Sequence, residues 1–273
     1  MNCYADIEAL KSKLGMSGTT HDSEVLAILK AASRDIETEA RRVFYVTEGQ
    51  SRYFNGSSSG VLLIHDVLSV TECKTDTSGD ESYADSWTEG TDYVLEPRNA
   101  FPKTMLRLHL NEDSMDLGGR DTTAYFKITG NWGAGDMESA TPWQATSITA
   151  TVADATSTSL TLSATGTVNG GGTIRVESEQ MFVESVSSTT ATVVRGVNNT
   201  TAAAHSGKAV TLAKYPAPVV NACLWLASSY WREFASAGYE SERIGDYSYV
   251  MAKDDRTRTI ISRLLTSVRR GCV

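Results

Sequence analysis

Between Gln144 and Lys214 the chain is built mostly of Thr, Ser, Ala, Gly and Val. Six short runs there alternate apolar and polar residues: "SITATV", "TSLTLS", "TIRVES", "QMFVESV", "TATVVRG" and "KAVTLA". A period of two puts one set of side chains on one face of a strand and the rest on the other. Turn residues separate the runs at roughly ten-residue intervals, the pattern of a small barrel or sandwich. A segment of this kind must close a core of its own, and it does so between two stretches that read as helix.

Upstream, Ala5 to Leu14 suits a short helix, with Ile7, Leu10 and Leu14 on one side and Gly15 as the stop. A second helix follows, capped by Asp22 or Ser23, with Val25, Ile28, Leu29, Ala32 and Ile36 as its apolar stripe, running to about Arg42. Strand signals come next: "SRYFNG", "VLLIHD", "VLSVTECKTD", "TDYVLEP", "TMLRLHL" and "TAYFKITGNWG" predict a mostly antiparallel section ending near Gly135. After the alternating segment, Pro216 and Pro218 open another helix, with Val220, Leu224, Ala227, Trp231 and Phe234 at helical spacing up to Gly238. Ile261, Leu264, Leu265 and Val268 mark a last amphipathic helix. Helices that resume after a self-contained β segment imply an insertion. The expectation is an α+β fold: a helical host of residues 1–143 plus 215–273 carrying an antiparallel β section, with an inserted all-β barrel or sandwich at 144–214. Its ends should lie close together, so that deleting the insert should spare the host.

The net charge of −8 is unevenly spread. Residues 1–143 hold 13 Lys and Arg against 23 Asp and Glu, residues 144–214 four of each, and residues 215–273 eight against six. An acidic front and a basic tail suit a protein that meets different partners at its two ends. The densest acidic stretch lies between Glu72 and Glu96, eight acids against one base. The four cysteines form no CxxC pair, which fits reduced thiols in a reducing cytoplasm. No run of about 18 apolar residues occurs, and "MNCYADIEALKSKLG" lacks the features of a signal peptide, so neither a membrane span nor a leader is expected.

Chemistry-bearing patterns are sparse. His21, His65, His109 and His205 share no metal-ligand spacing, and His65 and Asp66, as strand neighbours, point to opposite faces. "NGGGT" at Asn169 to Thr173 precedes a strand, so it reads as a turn and not as a phosphate cradle. "NEDSMD" at Asn111 to Asp116 lacks the calcium-loop pattern. Trp225, Tyr230, Trp231, Phe234 and Tyr239 read as core or as a subunit contact. No catalytic, cofactor or metal residues are expected, and the chain does not read as an enzyme. One constellation remains: Arg256, Arg263 and Arg270 recur every seven residues, with Arg258 and Arg269 nearby and no acid from Arg256 onward. Such a ridge suits phosphate, an acidic protein surface, or a solvated face with favourable dipole placement.

The ordered set "YADIEALKSKLGM", "DSEVLAILKAASRDIETEARRVF", "SRYFNG", "LLIHDVLSVTECKTD", "TEGTDYVLEPRN" and "KITGNWG" resembles the head–tail connector, or adaptor, proteins of tailed bacteriophages. The resemblance covers about residues 4–135 and returns in the C-terminal helices. The segment "ESEQMFVESVSSTTATVVRGVNNTTAAAH" is similar to a β module that recurs in phage structural proteins. The resemblance implies a virion neck protein assembled in the host cytoplasm. It would form a ring, typically of twelve copies, beneath the portal and receive the next neck or tail protein on its far face. Genomic DNA would pass through without specific binding. On that reading Arg256, Arg263, Arg269 and Arg270 would dock onto the portal, and Asp76, Asp80, Glu81, Asp85 and Glu89 would form an acidic surface facing the DNA channel. The alternative reading is a binding module whose β segment recognises a host surface glycan or another virion protein.

Overall fold

Asp6 starts the first helix: its carboxylate accepts from the Ala9 amide at 2.7 Å, and α1 (Ile7–Leu14) ends at Gly15 in the left-handed region. The structure, a computed structural model, describes residues 2–56, 60–109, 123–235, 241–244, 247–250 and 254–270, without the side chains of 241–244, 247–250 and 254–258. Helix α2 (Asp22–Ala40) buries Val25, Leu29, Ala32, Ser33 and Ile36. Its cap position is His21, with no side-chain cap bond, and not Asp22 or Ser23. Those two side chains are occupied elsewhere: Lys11 Nζ lies 3.0 Å from Asp22, and Ser23 donates to Glu24.

The sheet unit holds Val43–Pro142 together with Asn198–Thr200. Its strands are β1 (Thr47–Phe54), β2 (Val61–Thr75), β3 (Asp85–Trp87), β4 (Tyr93–Glu96), β5 (Lys103–Leu108) and β6 (Phe126–Trp132). They are hydrogen-bonded in the order β1-β6-β2-β5-β4, with β3 also paired to β2, all antiparallel. The alternating "FKITGNW" buries Phe126, Ile128 and Trp132 against Leu62, Ile64, Tyr93, Leu95 and Leu106. Trp132 Nε1, which would otherwise be a buried donor without a partner, donates to Gln50 O at 2.6 Å.

All six alternating runs form strands, and they close a barrel. β7 (Trp143–Val152), β8 (Ser159–Leu162), β9 (Thr173–Val176), β10 (Glu179–Ser187), β11 (Thr190–Val194) and β12 (His205–Ala213) pair in the circular order β10-β11-β8-β7-β12-β9. Inward residues such as Ile148, Leu160, Leu162, Ile174, Val176, Met181, Val183, Val193 and Val210 make its core. Trp143 pairs with Ala213, so the chain enters and leaves the barrel side by side.

Helix α3 (Ala217–Ala235) follows, then the hairpin of β13 (Ser241–Ile244) and β14 (Tyr247–Val250), and finally α4 (Asp254–Leu265). The buried face of α3 is Val219, Ala222, Cys223, Leu226, Ala227 and Ser228, which differs from the expected stripe. Small residues win because they allow close approach: the Ser33 hydroxyl on α2 sits 3.5 Å from Cys223 Sγ. The aromatic residues Trp225 and Phe234 are turned outward, 41% and 61% exposed. Burial pushes the Cys3 thiol up to about 12 and Cys223 to about 11, and Cys3, Cys73 and Cys223 are free.

The helices group with the barrel: Met1–Arg42, Trp143–Val197 and Thr201–Val273 form one compact unit. The expected host is therefore divided, with its helices in one unit and its β section in the other. The cause is the N-terminal arm. Asn2 Oδ1 accepts from Thr173 Oγ1 at 2.8 Å, its carbonyl accepts from Arg34 at 2.7 Å, and the Ile7 amide donates to Gly170 O at 2.9 Å. The three-glycine turn is the seat for this arm. A Cβ on Gly170 would lie 2.7 Å from Ile7 Cδ1 and 2.8 Å from Glu184 O. We expect Gly170→Ala to destabilise the helix–barrel unit by about 1–3 kcal/mol, as overpacking does. Urea unfolding followed by circular dichroism would check it; an unchanged midpoint would show that the arm is not seated as described.

Candidate functional site

The C-terminal arginines lie on α4 and just after it, in a segment that the core holds firmly. Ile261, Leu265 and Val268 are buried, which turns Arg263 and Arg269 to the exterior and leaves Arg270 half-buried. Arg269 Nη1 lies 3.4 Å from Glu39 on α2, and the Arg270 amide donates to Ala40 O at 3.0 Å. Arg263 has no carboxylate partner among the described residues. An exposed pair such as Arg269–Glu39 contributes little to stability, so Arg269 is free to exchange Glu39 for another anion. Three of the four expected docking residues thus share one region, while the side chains of Arg256 and Arg258 lie outside the described residues.

The acidic stretch divides into two kinds of carboxylate. Asp76 is only 8% exposed and organises its own loop. Oδ1 accepts from the Gly79 and Asp80 amides at 2.9 and 3.2 Å, and Oδ2 from the Glu81 amide at 3.0 Å. This corrects its assignment to an acidic surface: an aspartate before Ser and Gly accepts backbone amides and is buried by the turn it makes. Asp80, Glu81, Asp85 and Glu89 are exposed and have no cationic partner among the described residues. Ser78 and Ser82 donate to Asp80 and hold its carboxyl at about 2, so it stays charged. No group of three or more His, Cys, Asp or Glu among the described residues could hold a metal ion. We expect millimolar calcium or magnesium to leave the melting temperature unchanged, since a ligand bound only by the native state must raise it. A rise of several degrees would reassign this surface.

One polar cluster was missed by sequence reading. Glu179 is fully buried at one end of the barrel. Arg195 grips it bidentately at 2.7 and 2.8 Å, and His205 Nε2 lies 2.8 Å away. The Gly196 and Ala203 amides also donate to it, and His205 Nδ1 lies 2.9 Å from Glu177. The remaining Arg195 donors reach the carbonyls of Asp154, Ser157 and Ala203. These bonds pin Arg195, Gly196 and Ala203 to the barrel and saturate the Glu179 carboxylate, leaving no open position for a substrate. The signal lay in "ESE" and "VVRG" on adjacent runs, yet only the strand register brings them together.

Burial alone would raise the Glu179 carboxyl. Arg195, the two amides and His205 outweigh it and hold the carboxyl below the usual carboxylate range. A depressed carboxylate contributes stability that is complete above the unfolded value and is lost as pH falls through the folded one. Barrel stability should therefore decline below about pH 4. Glu179→Gln should cost about 3–5 kcal/mol at neutral pH by leaving Arg195 buried without its anion. Urea unfolding across pH 3–7 would check both; a variant as stable as wild type at pH 7 would refute this role.

The other marked residues do not converge. The His21 ring packs edge-on to Trp231, His65 packs on Phe54, and Tyr230 donates to Asp35 at 2.5 Å. His65 is exposed and Asp66 buried, as strand alternation requires. The aromatics of α3 are not core throughout, since Trp225 and Phe234 face outward with Lys13 Nζ 4.2 Å above Trp225. A shallow depression of about 600 Å³, lined by Tyr53, Phe54, Asn55, Val61, Leu62, Leu63 and His65, has two titratable side chains, Tyr53 and His65, and no carboxylate or thiol in its lining. Residues 111–116, Tyr239 and Cys272 lie outside the described residues. No helix of the described residues is long and apolar enough to cross a membrane. No protein-family model matches the chain, and no curated protein matches it.

Proposed function

We propose that the chain is a structural virion protein, a head-to-tail adaptor of a tailed bacteriophage that forms a ring beneath the portal. The observation that carries this reading is the order and packing of its elements. Two N-terminal helices and an antiparallel sheet come first, and α3 and α4 then return to α2, in the order that the resemblance gives them. The helices α1 to α4 are the host part of the adaptor, and the barrel is carried within it. The portal meets the C-terminal region, where Arg263, Arg269 and Arg270 lie on and just after the anchored α4, with Arg256 one heptad upstream. The far face meets a neck or tail protein.

Electrostatics supports a division of labour. Exposed charges at a protein contact set encounter rate and orientation, and contribute greater energies only where pairs are desolvated. Asp80, Glu81, Asp85 and Glu89 keep a negative surface, and such a surface facing the channel would repel DNA phosphates and let the duplex slide. The role needs no catalysis and no cofactor.

Replacing Arg263, Arg269 and Arg270 together by Ala should weaken attachment to portal-bearing heads and flatten its salt dependence, while the monomer still folds. Pull-down with portal rings and a gel shift with free duplex check this. Tight duplex binding by wild type, together with unaltered portal attachment of the triple variant, would overturn the assignment.

A further inference from the structure

The chain contains two Asn-Gly pairs, Asn55–Gly56 and Asn169–Gly170, and the fold treats them oppositely. We propose that Asn55–Gly56 is a site of spontaneous covalent self-modification, in which the folded protein promotes deamidation of Asn55, while the same fold protects Asn169. Glycine after asparagine matters because its amide nitrogen carries no neighbouring Cβ to block approach to the side-chain Cγ. The Gly56 nitrogen, after losing its proton to hydroxide, attacks Asn55 Cγ. The N–Cγ bond forms, the Cγ–Nδ2 bond breaks, and ammonia leaves with a proton from water. Water then opens the five-membered imide at either carbonyl, giving aspartate or its isoaspartyl isomer. The only reactant beyond the chain is water.

Three features favour this at Asn55. Phe54 makes the last ladder pair of β1, with Phe126, so Asn55 lies one residue beyond the sheet and its main chain is not held by the ladder. The residue is exposed, which gives water and hydroxide access. The amide of Ala124 donates to Asn55 Oδ1 at 3.1 Å. A hydrogen-bond donor on that oxygen polarises the carbonyl and stabilises the negative charge that develops when Cγ is attacked, as an oxyanion-hole donor does. The product would carry a new negative charge beside the same amide. In the isoaspartyl form the main chain would run through the former side chain, one methylene longer.

Asn169 has the opposite surroundings. Its Nδ2 faces the Asp6 carboxylate at 3.4 Å, and its own carbonyl accepts from the Gly172 amide at 3.2 Å. The Gly170 carbonyl is bonded to the Ile7 amide at 2.9 Å, and Gly170 is packed so tightly that even a methyl group has no room. The rotation that would bring the Gly170 nitrogen onto Cγ is blocked from both sides.

The test is peptide mass mapping of the full-length protein during incubation at neutral and mildly alkaline pH, run in parallel on the folded chain and on the chain in denaturant. In the folded protein the peptide containing Asn55 should gain the mass of the amide-to-acid change, faster as pH rises, and as a mixture of aspartyl and isoaspartyl forms. It should do so at least as fast as in the denatured chain. The peptide containing Asn169 should convert several-fold more slowly folded than denatured. Gly56→Ala should slow conversion at Asn55 several-fold without touching Asn169. If Asn55 converts more slowly folded than unfolded, the Ala124 amide is not assisting and the proposal fails. Equal rates at the two asparagines in the folded protein would also overturn it.

Discussion

The hydrogen bond from the Ile7 amide to Gly170 O, with the contacts either side of it, holds the helix–barrel unit together. Asn2 reaches Thr173 at the start of β9 and Arg34 on α2, Tyr4 bonds the Ser33 hydroxyl and the Glu37 carboxylate, and its ring packs edge-on against Tyr215. Residues 2–7 thereby touch α2, the barrel and the segment leading to α3. Each backbone group buried along this path needs a partner, because an unpaired one costs about 1–3 kcal/mol. The arm supplies those partners reciprocally. The glycines of the turn are required by the close approach, and a side chain at Gly170 would separate the two layers.

Most of the fold was legible because its signals are local. Gly15 stops α1, the strict alternation of "FKITGNW" gives β6, and the six short runs of the barrel are each a strand. The failures share one cause. The cap of α2, the buried face of α3 and the role of Asp76 each depend on a partner distant in sequence or on the loop's own closure. Lys11 takes Asp22, Ser33 and Cys223 set the α2–α3 spacing, and backbone amides surround Asp76. Helical periodicity alone gives two plausible stripes on α3, and packing chose the one with small residues. The arm could not be read at all, since no pattern in "NCYADI" names Thr173 or Gly170 as its partner.

The candidate docking region was legible as a heptad of arginines but not as a surface, because the sequence does not say that Arg269 meets Glu39 or that the Arg270 amide caps Ala40. Charge counting has a related weakness. Of the acids it gathers, Asp76 and Glu179 are buried and fully bonded, each fixing a loop through backbone amides. They contribute formal charge and no surface field. The carboxylates that remain outside are fewer than the count suggests, and they are clustered. Asp80 stays ionised because Ser78 and Ser82 donate to it, so its charge persists where an ordinary carboxylate would begin to neutralise.

The pairing of Trp143 with Ala213 has a mechanical consequence. Tension pulling on the two flanks of the barrel acts on neighbouring ends of the antiparallel strands β7 and β12. Load applied there does not travel through the hydrophobic interior. It falls first on the pair nearest the flanks and then on each next pair in turn, Gln144 with Leu212 and Ala145 with Thr211, the geometry of unzipping and not of shear. The barrel is therefore carried beside the line of force and not within it.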